Sequence, residues 1–183
     1  LMCGIFGTFG KKLTEIQLKN AYKSIKHRGS DDFHYINDEN HGNYTFATAR
    51  LAFQDEKNGR QPIQKIINGK KIILSFNGEI YNFKKLGQSL KNEYNVLFKT
   101  SSDTEVLLEL YLKIGIKFYK KINGMFAISI WDERIKKGYL LTDFLAQKPI
   151  HYFYNNHSLY YSSEINSLKE ILNKDEKLNI NSN

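Results

Sequence analysis

Apolar positions recur along this chain with two different periods, and the changes between them mark out the elements. Cys3-Gly4-Ile5-Phe6-Gly7-Thr8-Phe9-Gly10 alternates apolar with small residues, the period of a strand. From Thr14 to His27 the spacing becomes helical, with Leu18, Ala21, Tyr22 and Ile25 on one face and Gly29 as a stop. Strand patterns return at Tyr44 to Leu51 and Lys71 to Phe76, and a short helix is predicted over Phe83 to Lys91. Ser101-Ser102-Asp103-Thr104-Glu105 offers N-cap residues and early acids to an amphipathic run that ends at Gly115.

The last third is β-rich. Met125 to Trp131 alternates, Asp132 to Gly138 supplies a turn, and Tyr139 to Thr142 returns as the hairpin partner. His151 to Tyr154 and Leu159 to Ser162 form a second hairpin around Asn155-Asn156, and a helix is predicted over Glu164 to Leu172. The tail from Asn173 to Asn183 is polar and unpatterned. Strands and helices mixed with hairpins, without strict β-α-β alternation, predict an α+β layered sandwich.

Composition narrows the function classes. The 183 residues suit one domain, and 14% aromatic content argues against disorder. No stretch approaches the roughly 18 uninterrupted apolar residues of a membrane span. No signal-peptide pattern opens the chain, so a cytoplasmic domain without membrane contact is expected. The formal charge is +8, yet only Arg28, Arg50, Arg60 and Arg134 of the 27 basic residues are arginine. The lysines are scattered in pairs such as Lys11-Lys12 and Lys84-Lys85, which predicts a solvated surface and no nucleic-acid partner. A single cysteine, Cys3, excludes an internal disulfide and a thiolate-based metal site, and no metal is expected.

Five places carry candidate chemistry. A lone cysteine is ordinarily a small core hydrophobe. If the chain were trimmed to begin at Cys3, however, a thiol and a free α-amine would share one residue. The amine, with a pKa of about 7.7–8.0, can take the thiol proton near neutrality. Asn77-Gly78-Glu79-Ile80-Tyr81-Asn82 follows an apolar strand and reads either as a strand-ending turn or as an oxyanion hole built from a side-chain amide and the next backbone N–H. Arg50 ends an otherwise apolar strand, as a surface residue or as a clamp for a substrate carboxylate; Asp103 is a helix cap or the receptor of a substrate ammonium. His27-Arg28-Gly29-Ser30-Asp31-Asp32 reads as a helix C-terminus, with Gly29 in the left-handed conformation and both aspartates unexplained.

Taken in order, Met2-Cys3-Gly4-Ile5, His27 to Asp32, Arg50-Leu51, Asn77 to Asn82, Ser102 to Val106, Gly124-Met125-Phe126-Ala127 and Lys148-Pro149 resemble the glutaminase domain of glutamine-hydrolysing asparagine synthetases, class II glutamine amidotransferases. The resemblance runs from Cys3 to about Leu168, and a single amidotransferase domain is expected over residues 3–183. It implies the N-terminal nucleophile hydrolase fold, a four-layer αββα sandwich of two antiparallel sheets. It implies Cys3 as nucleophile, its α-amine as base, and Asn77 with the Gly78 N–H as oxyanion hole. Arg50 would bind the glutamine carboxylate, Asp103 and Glu79 its amine, and Leu51 and Phe53 would line the pocket. It further implies a partner synthetase domain or subunit, where ATP and Mg would act, and a homodimer of the full-length protein; this domain needs no cofactor.

The pattern has departures. Ser30 stands where the family has Pro, and Thr142 and Ala146 replace the arginine and glycine of Arg-Asp-x-x-Gly-x-Lys-Pro-Leu-Tyr-Tyr. If that glycine takes a positive φ, Ala146 must strain or reroute its loop. Leu1 and Met2 precede Cys3, and retained they would convert its amine to an amide. The sequence ends before any Ser-Gly-Gly-x-Asp-Ser pyrophosphate loop, so an excised N-terminal domain or a stand-alone glutaminase subunit is expected. The alternatives are an amidotransferase serving a sugar or another carboxylate, and a non-catalytic module with a masked N-terminus.

Overall fold

The computed structural model describes residues 3–38, 43–51, 59–155 and 157–172. Among the described residues, nine strands form two antiparallel sheets. The first holds β1 (Gly4–Phe9), β2 (Asp32–Asp38), β3 (Tyr44–Arg50), β8 (His151–Asn155) and β9 (Ser158–Ser162) in the order β2-β3-β1-β9-β8. The second runs β4-β5-β6-β7, from β4 (Ile63–Ile67), β5 (Lys70–Ile80), β6 (Gly124–Asp132) and β7 (Lys137–Thr142). Helices α1 (Glu15–Ile25) and α4 (Ile165–Ile171) cover the outer face of the first sheet. Helices α2 (Phe83–Tyr94) and α3 (Asp103–Ile114), with a 3-10 segment over Gly115–Lys120, cover the second. This is the αββα sandwich.

Strand alternation builds three cores. Phe6 on β1, Ala47 and Ala49 on β3 and Tyr160 on β9 face out onto Leu18, Ala21 and Ile25 of α1 and Leu168 and Ile171 of α4. Ile72, Leu74 and Phe76 of β5 face the other way, onto Leu107 and Leu108 of α3 and Leu90 of α2. The intervening positions meet between the sheets, where Ile5, Phe9, Tyr44, Phe46, Ile73, Ala127 and Tyr161 pack together. Aromatic pairs fill this layer, with Phe9 and Tyr161 ring centroids 5.4 Å apart. Thr48 donates to the Ser75 hydroxyl across the gap at 3.3 Å, so the inner faces are not wholly apolar.

Local chemistry sets the ends of the elements. Thr14 and Gln17 form a reciprocal capping box at α1, and Asn95 ends α2 in the left-handed conformation. Ser102 caps α3 by accepting the Glu105 N–H, so the capping expected of Asp103 falls to its neighbour. Gly29 takes no positive φ, contrary to expectation. Glycine is needed there for close approach, since a Cβ would strike the carbonyl of Ala49 on β3.

Two strands escape the sequence pattern, β2 and β4, and β5 runs four residues past Phe76 to Ile80. The strand-ending-turn reading of Asn77-Gly78 is therefore overturned: the pair sits inside β5, opposite Ala127 and Phe126 of β6. Gly78 has φ +150, and a Cβ would be driven into the Met125 carbonyl. Ala146 adopts φ +50, so its loop keeps a left-handed turn instead of rerouting. Phe53 and the tail from Asn173 lie outside the described residues.

Candidate active site

Antiparallel pairing brings together positions far apart in sequence. The start of β1 lies beside the end of β3, Gly4 opposite Ala49, and the end of β5 lies beside the start of β6. Cys3, just before β1, thus meets Arg50 and Leu51, while Asn77, Gly78 and Glu79 arrive from the other sheet and Asp103 from the first turn of α3. All seven line one cavity of about 430 Å³, together with Gly59, Gln61, Phe76, Ser102, Thr104 and Met125.

The cysteine is held by the backbone of one residue, Leu51. Leu51 N–H points at Cys3 Sγ at 3.4 Å, and the thiol faces the Leu51 carbonyl at 3.6 Å. Burial pushes the thiol pKa up; the Leu51 contact and the Arg50 charge pull against that shift without cancelling it. A sulfur so placed rests protonated and needs a base to become a nucleophile. Arg50 is itself buried, and its carbonyl accepts the Asp31 N–H at 3.1 Å. The Asp31-Asp32 pair thereby gains a local role: it starts β2 against the end of β3, with Asp32 opposite Arg50.

Asn77 is fully buried, yet neither its amide nitrogen nor its amide oxygen has a hydrogen-bond partner among the described residues. An amide in that state costs about 1–3 kcal/mol per unsatisfied group, a cost that a polar guest in the cavity would recover. Asp103 accepts the Ile80 N–H at 3.4 Å, and its pKa is raised to about 6 because burial outweighs the backbone hydrogen bonds, with the Glu79 charge adding to the rise. The cavity is thus lined by one guanidinium, Arg50, and two carboxyl groups, Asp103 and Glu79. The sequence model of the glutamine amidotransferase domain matches residues 2–182.

The chain belongs to the glutamine amidotransferase domain family. Relatives include asparagine synthetase [glutamine-hydrolyzing] 2 of Bacillus subtilis, 40% identical over 91% of this chain, and asparagine synthetase B of Escherichia coli, 35% identical over 91%. The chain spans 22% of the first and 30% of the second. Among solved structures, the glutamine phosphoribosylpyrophosphate amidotransferase of B. subtilis superposes with a TM-score of 0.76 at 20% identity, over 92% of this chain and 43% of that one. That likeness establishes the shared fold.

The amidotransferase domain also uses residues that the sequence pattern did not disclose. Gln61, buried in the cavity wall, accepts the Phe76 N–H at 2.7 Å and donates to Thr104 at 3.2 Å, bracing β5 and α3 against each other beside Asn77 and Asp103. Its only local signal is the Gln61-Pro62 dipeptide ahead of an edge strand. Asp143 gathers four backbone N–H groups, from Phe126, Leu145, Gln147 and Lys148, and so fixes the loop that buries Lys148. Among the described residues no helix is long and apolar enough to cross a membrane.

Proposed function

We propose that this amidotransferase domain hydrolyses L-glutamine and supplies ammonia to an asparagine-synthetase-type amidation of aspartate. The observation that carries the reading is the grouping of one thiol, one arginine, two carboxyl groups and an unpartnered amide in a single cavity. A free α-amino acid needs a cation for its carboxylate and an acid for its ammonium, and the cavity lining includes Arg50, Asp103 and Glu79 to meet those needs. A volume of about 430 Å³ lies within the usual range of about 300–1,000 Å³ for small-molecule sites.

With Cys3 at the N-terminus, its α-amine takes the thiol proton and the thiolate attacks the glutamine side-chain carbonyl carbon, forming a C–S bond. The charge moves to oxygen, where the Asn77 amide and the Gly78 N–H can donate to it. Collapse breaks the C–N bond, and the protonated amine returns its proton to the departing ammonia. Water then attacks the thioester carbonyl, and the C–S bond breaks to give glutamate and free thiol. No cofactor enters these steps. ATP-dependent activation of the acceptor, with Mg, belongs to a synthetase region that the names of the relatives point to.

A chain whose first residue is Cys3 should release glutamate and ammonia from glutamine in equal amounts, and Cys3→Ala should release none. Equal turnover in Cys3→Ala would overturn the reading.

A further inference from the structure

The start of β1 is held from behind the cavity by residues distant in sequence. Arg28 Nε donates to the Cys3 carbonyl at 3.3 Å, and Nη1 of the same guanidinium donates to Glu164 Oε1 at 2.6 Å. Glu164 is the N-cap residue of α4, and its own N–H bonds the Ser162 hydroxyl at 3.2 Å. Beside it, Ser163 Oγ accepts the Ile5 N–H at 3.1 Å, and Ser163 N–H donates to the Ile5 carbonyl at 2.8 Å. The peptide groups on both sides of Gly4 are therefore anchored to one short turn between β9 and α4.

We propose that Glu164 is a positioning residue for the nucleophile, acting through Arg28 to fix the backbone of Cys3. This deepens the reading of Cys3 as the reacting group and rests on it. A guanidinium is a rigid fork, so a carboxylate gripping Nη1 sets the direction in which Nε–H points. The grip has an opponent. Burial disfavours the Lys148 ammonium and the nearby Arg28 charge adds to that, so the two cations repel, while Asp143 and Glu79 pull the other way. Glu164 offsets that repulsion and keeps Arg28 on the Cys3 carbonyl. Other charged or titratable groups near this turn and the cysteine include His27, whose Nε2 lies 3.8 Å from Glu164, Asp143, which acts on Lys148, and Arg50, Glu79 and Asp103, which line the cavity with Cys3.

The test uses the full domain with Glu164→Leu and Glu164→Gln. Gln retains an oxygen that accepts from Arg28; Leu does not. Glu164→Leu should lower kcat for glutamine about tenfold with KM within twofold, while Glu164→Gln keeps at least a third of the parent kcat. Amide hydrogen exchange should speed up in residues 4–6 of Glu164→Leu and stay unchanged on α2 and α3. If Glu164→Leu fails to fold, Arg28→Lys replaces it, since an ammonium cannot span both the Cys3 carbonyl and Glu164 in one fixed fork. Parent-like kcat with unchanged exchange at residues 4–6 would overturn the proposal. So would a loss spread evenly over the molecule with an equal fall for Leu and Gln. If the parent domain itself does not hydrolyse glutamine, the functional reading fails, and the exchange comparison still decides whether Glu164 holds the start of β1.

Discussion

Asp103 accepts a hydrogen bond from the backbone N–H of Ile80 at 3.4 Å, tying the first turn of α3 to the end of the strand that carries Asn77 and Gly78. Because Ser102 takes over the capping of α3, the Asp103 carboxyl is left to face the cavity. That freedom has an energetic consequence. Burial raises its pKa to about 6 from 3.8, so between those values the folded state holds a proton that the unfolded state has released. Stability therefore falls as pH rises through this window, and the ionised acid weakens the empty protein above it. Asp103→Asn should stabilise the unliganded domain at pH 7.5 by at most about 3 kcal/mol, since one pKa unit corresponds to about 1.4 kcal/mol. The same substitution should raise KM for glutamine at least tenfold. Paired thermal melts and steady-state kinetics check this; a lower Tm with unchanged KM would remove Asp103 from the site.

In the parent protein the same titration should appear in substrate binding. A neutral Asp103 cannot pair with a substrate ammonium, so KM should climb as pH falls below about 6, separately from the fall in kcat that protonation of the Cys3 α-amine brings. Asp103→Asn should flatten that dependence. A KM that is constant from pH 5 to 8 in the parent would contradict the assignment.

Asn77 makes the opposite case, a residue whose cost in the empty fold is set against chemistry. Both polar atoms of its buried side chain lack partners among the described residues. Asn77→Ala should lower kcat by about 10²–10³-fold, the usual effect of losing one oxyanion donor. KM should stay within a few-fold, and Tm should fall only by the packing lost with the side chain, because its polar atoms make no hydrogen bond among the described residues. Loss of kcat with an equally large loss of Tm would make Asn77 a packing residue.

The sequence patterns disclosed what local physics dictates and little else. β1, α1 and the β6–β7 hairpin were legible because their alternation or helical spacing is set by burial on defined faces. β2 and β4 were not, because they lie at sheet edges and mix exposed polar with apolar positions. The end of β5 was hidden by Asn77-Gly78, a turn dipeptide that here lies in a strand, with glycine required by the Met125 carbonyl. Cys3, Arg50, Asn77, Gly78, Glu79 and Asp103 were legible through family resemblance, and the structure brings them to one cavity. The Gln61 brace and the pairing of Arg28 with Glu164, 136 positions apart, depend on tertiary placement that no local pattern encodes.

Ala146 lends itself to repair. It occupies φ +50 in an exposed turn whose N–H bonds the Asp143 carbonyl at 2.9 Å, a conformation costing an L-residue about 1–2 kcal/mol. Glycine removes that strain but loses about 0.5–1 kcal/mol of chain entropy on folding. Ala146→Gly should therefore gain up to about 1 kcal/mol, or about 2–4 °C in Tm for a domain of this size. Glutamine hydrolysis should be unchanged. A fall in Tm would show that the loop relieves the strain elsewhere.

Asp143 anchors the same loop through charge. Burial pushes its carboxyl pKa up, but the N–H groups of Gln147, Phe126, Lys148 and Leu145 outweigh that and hold it below the ordinary value. A depressed folded pKa gives stability that is fully present above the unfolded value of about 3.9 and lost as pH falls through the folded one. Asp143→Asn should accordingly cost about 1–3 kcal/mol at pH 7, from weakened bonds to buried donors. The difference between parent and variant should then shrink as pH drops below about 4, because the parent's own carboxyl becomes protonated there. Urea denaturation of both proteins at pH 7 and at pH 3 measures the two gaps. A gap as wide at pH 3 as at pH 7 would show that the loop is held by packing around Asp143 and not by its charge.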